Sequence, residues 1–455
     1  MQKLISERLT ELVASIKYED LPPEIIERVK GAVLDQLGCQ LIASTLEWNK
    51  IPYRFIRDLE GKPECTIVNY GTKAPLHDAA YVNGVFGQGA ELDDVFQKGG
   101  AHPGSFCVPA AMALAEKGHN DGKQFIDAVL AGYELAFRLV HLMVPGVYDR
   151  GFHPHSVIGV FAVAAIAGKL LHLTEEEIIQ AFGIAGSHAS GTMEYDQSGG
   201  EVKRLHTGIA VRGGLQSAIL AKYGLTGPRP IFEGKRGVLP AFAGQCRVES
   251  LAELDKEWGI LNHLGFKRYS CVGANHNPID LLAQIVAENH IESQQIDKIE
   301  VYVFKQNLIH GGTIVEPNDV IGAQFSLAYC LAIRLLKGSN DLDLYLDSKL
   351  WRDPQVLEIA HKVEVKADPE MTQERKFAAR LQVRLKNGKA FEAAAECAKG
   401  FAGRPLAKEE LQAKFRRLAA WALPEPQIEE IIRTVDKLEQ VRDMNQLVAL
   451  MVRRY

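Results

Sequence analysis

Histidines, carboxylates and lysine–arginine pairs crowd into four short stretches of this 455-residue chain. Those residue types suit proton transfer on an anionic substrate. Glu91, Asp93 and Asp94 precede a loop carrying Lys98, Gly99 and Gly100, and then His102-Pro103-Gly104. His153 and His155 stand directly before an apolar run. Lys203, Arg204 and His206 form a third group, with Arg212 two turns on, and Lys267, Arg268 and His276 form a fourth. Taking a proton from the carbon α to a carboxylate builds up negative charge, so a base must be paired with cations or preorganised N–H donors. The set contains both. His102 and His153 also fall at expected helix starts, where backbone N–H groups favour anions.

Each feature taken alone has a plainer use. An Asp-Asp pair or a single histidine can cap a helix end, and Lys-Arg pairs usually belong to solvated faces. The histidines and aspartates could together bind a metal, but no H-E-x-x-H or comparable spacing is present, so no metal site is assigned. A phosphate-binding glycine loop and a G-x-S-x-G elbow are also missing, which leaves nucleotide binding and serine hydrolysis without support.

Most of the elements that must position these groups read as helices. Pro22-Pro23 followed by Ile25, Ile26, Val29, Val33, Leu37 and Leu41 predicts an amphipathic helix with proline in its first turn. Thr174 with Glu177 is a capping box. The glycines of the segment from Asp78 to Ala90 predict close helix-on-helix packing, with Asp93 and Asp94 closing that helix. After about residue 265 the pattern changes. Ile296–Val303 alternates as a strand does, and Arg380–Ala395 is two alternating runs joined at Asn387-Gly388, a strong hairpin signal. Helices are expected around Pro278–Asn289 and Gln324–Leu336, and again after Pro405. The expected fold is mainly α with α+β: a large helical domain from residues 1–265 and 405–455, and a smaller α+β domain from 266–404. With no long linker between them, the two are expected to pack closely and form a cleft.

Composition narrows the function. Hydrophobic residues make up 47% and charged residues 24%, with a net charge of -5. That is a globular chain without the positive field that nucleic acid or an anionic membrane would need. Its longest apolar run, Val157–Gly168, is too short for the roughly 20 residues of a membrane span. The first residues lack a secretory apolar core, so a cytoplasmic protein is expected. Seven scattered cysteines, with no C-x-x-C pair, read as reduced thiols.

Five stretches together resemble the MmgE/PrpD family of 2-methylcitrate dehydratase, cis-aconitate decarboxylase and iminodisuccinate epimerase. They are LPPEIIERVKGAVLDQLGC, AAYVNGVFGQGAELDDV with HPG, GFHPHSVIG, KRLHTGIAVRGG and FKRYSCVGANHNPID. The resemblance covers nearly the whole chain. It implies the two-domain fold just described, a homodimer, and chemistry without cofactor or metal on small di- or tricarboxylates. Position by position it marks Asp93, Asp94, His102, His153, Lys203, Lys267 and His276. It also points to three departures. The decarboxylase branch has a histidine after the KR-aromatic segment and a tyrosine after the next strand, where this chain has Val272 and about Leu308; a threonine or serine is usual where His155 stands; and the loop of Lys98 to Gly100 is one residue longer.

The resulting expectation is a carbon–oxygen lyase that dehydrates a 2-methylcitrate-like hydroxy acid. His102 or His153 would be the base, oriented by Asp93, and the other histidine the acid. Lys203, Arg204 and Lys267 would hold carboxylates, with Asp94, His155, His206, Arg268 and His276 completing substrate binding. Epimerisation of an iminodisuccinate-like acid ranks next, then decarboxylation of the cis-aconitate type. A silent polycarboxylate binder and a metallohydrolase are the readings from other classes.

Overall fold

The computed structural model describes residues 3–97, 99, 101–195, 200–244, 251–374 and 377–454. It is mainly helical, with one four-stranded sheet. Two compact units emerge. One is built from Met1–Tyr195, Gly200–Leu264 and Ala407–Tyr455, and the other includes Gly265–Leu406.

In the first unit, helix α1 (Pro23–Ser44) opens with its proline in the first turn. Ile25, Val29 and Val33 face inward as the periodicity requires, but every residue from Ala32 to Ser44 is buried. The amphipathic pattern therefore ends where other helices surround α1, and two of its polar residues there find partners inside. Asp35 Oδ1 pairs with Lys414 Nζ at 2.6 Å, and Gln40 Nε2 donates to the Asn83 carbonyl at 3.2 Å.

Helix α2 (Leu76–Gln88) stops short of the acidic residues expected to close it. Gly89 follows, with the Asn49 amide against the place a Cβ would occupy, and Glu91 adopts a left-handed φ of 56°. Helices α3 (Pro103–Gly118) and α5 (Pro154–Leu170) begin with proline directly after His102 and His153. Between them α4 (Gly122–Met143) is capped by Asp121, which accepts the Gln124 N–H. Helix α6 (Glu175–Ala185) has the Thr174–Glu177 box, with Glu177 Oε2 accepting the Thr174 N–H at 2.7 Å. Helix α7 (Val202–Lys222) packs against α2, α5 and α6. Glycine permits this closeness: a Cβ on Gly208 would lie 2.6 Å from the Tyr81 carbonyl oxygen, and one on Gly214 2.5 Å from that of Val160.

In the second unit, strand β1 (Ile296–Val303) runs parallel to β2 (Val363–Ala367) and antiparallel to β3 (Ala379–Leu385), which turns back into β4 (Ala390–Ala395). The spatial order is β2-β1-β3-β4, and Gly388 supplies a φ of +87° at the hairpin. Ile299, Val301, Val303, Leu381 and Val383 form a core with helices α8 (His276–Asn289) and α9 (Leu327–Lys337). The single helix expected over Gln324–Leu336 is divided at Ser326, whose Oγ accepts the Tyr329 N–H at 3.0 Å and starts α9 afresh.

The chain then returns to the first unit. Helix α10 (Lys408–Ala419) lies on α1, where Leu411 and Phe415 would stand 3.2 Å from Cβ atoms on Gly31 and Gly38. Among the described residues no helix is long and apolar enough to cross a membrane. Six cysteines are free thiols; Cys246 lies outside the described residues.

Candidate active site

The acidic turn after α2 is held from below. Lys414 Nζ, already paired with Asp35, also donates to the Leu92 carbonyl at 2.8 Å. Asp93 and Asp94 are both buried. The Asp94 carboxyl accepts the Gly104 N–H at 2.9 Å and the Tyr133 hydroxyl at 2.6 Å. Burial, reinforced by the neighbouring charges of Asp35 and Asp93, pushes Asp94 up to about 8 against those hydrogen bonds. Gly104 must lack a side chain here, because its Cβ would come within 2.9 Å of Asp94 Oδ2 and 2.8 Å of the Tyr133 oxygen.

His102, at the N-terminus of α3, is the most open of the clustered rings, its side chain 15% exposed. Its Nδ1 lies 2.7 Å from the Asp94 carbonyl oxygen and 3.4 Å from Asp93 Oδ2. Two acceptors at Nδ1 place the hydrogen there and the lone pair on Nε2. A carboxylate beside an imidazole strengthens it as a base and stabilises the imidazolium that forms. His102 can therefore carry a proton in either direction.

Three more histidines continue the cluster. His155 packs edge-on against His102, ring centres 5.6 Å apart, and 5.3 Å from His153. His153 Nδ1 meets His206 Nδ1 at 3.0 Å. One of these nitrogens must donate and the other accept, so the pair shares a single hydrogen between them and any proton His153 gives to a ligand passes through Nε2. Burial holds His153 and His155 well below the ordinary histidine range, and nearby histidine and lysine charges add to the effect. His206 is lowered to about 4 by burial and then by Lys203.

Lys203 and His206 are three residues apart on α7 and so share a face. Lys203 forms a buried ion pair with Glu91, which ties α7 to the acidic turn. The guanidinium of Arg204 stacks on the Trp48 ring at 4.4 Å. Asp93, Asp94, His102, His153, His155, Lys203 and His206 thus stand together in the first unit.

The remaining candidates lie in the second unit. Lys267 and His276 are fully buried there. Arg268 is engaged by Asp280 at 2.9 Å, an aspartate that also accepts the Tyr269 hydroxyl at 2.6 Å. His276 lies between Tyr269 and Phe401, with ring centres 5.1 and 6.0 Å away.

Tyr133, Thr207, Gln88, Lys414 and Asp35 were not anticipated from sequence. Asp35, Gln88 and Thr207 lay within stretches singled out for their family resemblance but were given no role there; Tyr133 and Lys414 come from helices outside those stretches. Lys98 and Gly100 lie outside the described residues. Among the described residues no three His, Cys, Asp or Glu side chains are grouped so as to hold a metal ion.

Comparison with known proteins agrees on one family. The MmgE/PrpD N-terminal domain matches residues 7–250 and the MmgE/PrpD C-terminal domain residues 269–440. The chain is 30% identical to a cis-aconitate decarboxylase-like protein, oryM, of Aspergillus oryzae, over 98% of this chain and 97% of that one. It is 28% identical to the cis-aconitate decarboxylase of Aspergillus terreus, over 98% of this chain and 96% of the relative. The Homo sapiens enzyme of the same name is also 28% identical, with 99% of this chain and 95% of the relative covered.

Proposed function

The chain belongs to the MmgE/PrpD family, and from that membership we propose that it is a lyase moving a proton at a carbon next to a carboxylate of a small polycarboxylate. The observation that carries the reading is His102, whose Nδ1 bonds the Asp94 carbonyl with the Asp93 carboxylate 3.4 Å away, in one cluster with the His153–His206 pair and Lys203. His102 is the proton carrier, acting at Nε2. Lys203 supplies charge for a substrate carboxylate and for the enediolate that develops. The other reacting carbon or oxygen exchanges its proton with His153 Nε2.

Dehydration leads the readings from sequence, but the relatives named above are two cis-aconitate decarboxylases and a decarboxylase-like protein, which makes a cis-aconitate-like acid the first substrate to test. In that reaction the bond to the departing carboxylate breaks, its electron pair moves into the unsaturated system, and one proton is delivered to the far alkene carbon as carbon dioxide leaves. The second reading, loss of water from a 2-methylcitrate-like acid, draws support from Val272 and the residue at about Leu308, which by the family resemblance fall where the decarboxylase branch has histidine and tyrosine. There the α-proton goes to the base and the β-hydroxyl leaves with a proton from the acid.

Proton NMR in D2O with cis-aconitate, 2-methylcitrate, citrate and iminodisuccinate separates the cases. A decarboxylated alkene from cis-aconitate supports the first, a new alkene from a hydroxy acid the second, and deuterium exchange without net conversion an epimerase. Silence with every acid would overturn the lyase reading. Lys203→Met is expected to lower kcat/KM by about 10²–10³-fold, and wild-type turnover in that variant would remove Lys203 from the site.

A further inference from the structure

Of the four clustered imidazoles, His155 is the one fully shut off from solvent, and protein groups face both its ring nitrogens. The donors dictate the direction of every bond. A backbone N–H can only donate, so His155 Nδ1 accepts from the His102 N–H at 3.2 Å. The neutral ring then carries its hydrogen on Nε2, 2.8 Å from Thr207 Oγ1. Thr207 in turn donates to Gln88 Oε1 at 3.1 Å. This chain of bonds runs from the start of α3 through α5 and α7 to the end of α2, and Phe106 packs against the His155 ring at 5.0 Å.

His102 is anchored at two further points. Its carbonyl accepts the Ser105 hydroxyl at 2.7 Å, and its ring Nδ1 meets the Asp94 carbonyl. The His155 bond is the only one of the three that holds the backbone N–H; the carbonyl of the same peptide, that of Ala101, accepts the Phe96 N–H at 3.2 Å, so losing the His155 bond leaves the peptide that aims the ring held from its carbonyl side alone.

We propose that His155 is a positioning residue, which fixes the backbone of His102 and through it the His102 imidazole, and which neither touches substrate nor exchanges protons with it. The proposal rests on His102 being the proton carrier of the lyase reading. It makes a chemical distinction between two amides. In His155→Asn the side-chain oxygen can stand near the former Nδ1 and accept the His102 N–H. In His155→Gln the amide reaches the former Nε2 position and serves Thr207 instead.

The test measures kcat and KM across pH for wild type, His155→Asn and His155→Gln with whichever acid is turned over, together with spectra of ¹⁵N-histidine-labelled protein. His155→Gln is expected to lose kcat by up to about 10²-fold at little-changed KM, and His155→Asn to keep most of it, with unmoved pH midpoints in both. The wild-type His155 signal, identified by its loss in His155→Asn, should stay neutral with hydrogen on Nε2 through the active pH range. A raised KM at unchanged kcat in His155→Gln overturns the proposal. So does a limb of the pH profile that vanishes in both variants, or a His155 ring that titrates there. The spectra need no substrate: if the lyase reading fails, a His102 signal displaced in His155→Gln but not in His155→Asn supports the positioning role, and equal displacement in both overturns it. If His155→Gln does not fold, His155→Leu, which likewise offers the His102 N–H no acceptor, takes its place with the same readouts.

Discussion

Burial sets the protonation of single residues here, and it acts in opposite directions on the two kinds of titratable group. His153, His155 and His206 bind a proton more readily in the unfolded chain, His206 with about 4 in the folded state. Their linkage costs stability as pH falls from about 6.5 towards 4. The melting temperature should therefore drop on acidification, and His206→Gln should flatten that drop; an unchanged slope would mean the folded protein protonates His206 as easily as the unfolded chain does. Asp94, raised to about 8, has the reverse sign. The unfolded chain releases its proton near 4, so stability is lost as pH rises between about 4 and 8. In Asp94→Asn the melting temperature relative to wild type should climb across that window and level off above it, and a constant difference would refute the shift. The chemical types of the cluster were legible in sequence, because histidines and carboxylates beside glycine and proline stand out along the chain. Their pairings were not. That His155 turns to a peptide N–H, and that Tyr133 reaches Asp94, depends on which helices become neighbours.

At the scale of elements, small residues decide how closely the helices approach. Gly208→Ala and Gly214→Ala each force a methyl against a carbonyl oxygen, 2.6 and 2.5 Å away before relaxation. Each should destabilise by about 1–3 kcal/mol, measured by urea unfolding, and wild-type midpoints would show that α7 can shift freely. The periodicities that announced α1 and strand β1 were readable because hydrophobic spacing specifies them, and the hairpin because Asn387-Gly388 adds a turn signal between two alternating runs. Element ends were harder. Helix α2 ends at Gln88 rather than at Asp94 because Gly89 meets Asn49 and Glu91 turns left-handed. Only the folded partner supplies that reason. The cap at Ser326 is of the same kind, hidden inside a mostly apolar stretch that reads as one helix.

At the scale of the whole molecule, the first unit is completed by the end of the chain. Lys414 joins Asp35 to the Leu92 carbonyl, Gln427 Nε2 donates to the Leu450 carbonyl at 2.6 Å, and the Asn69 N–H bonds the Met451 carbonyl at 2.8 Å. Lys414→Met strands the buried Asp35 carboxylate and should cost about 3–5 kcal/mol. Asp35→Asn added to it should recover part of that loss, and no recovery would show that the lysine acts through the Leu92 carbonyl instead. The bond from Lys414 to Leu92 spans 322 residues of sequence. At about 5–20 residues per second, a ribosome needs roughly 16–64 s to make the donor after it has made the acceptor. Throughout that interval the turn carrying Asp93 lacks its anchor, so the nascent chain must wait, in the company of chaperones or its own collapsed helices, for its last tenth to finish what its first quarter began.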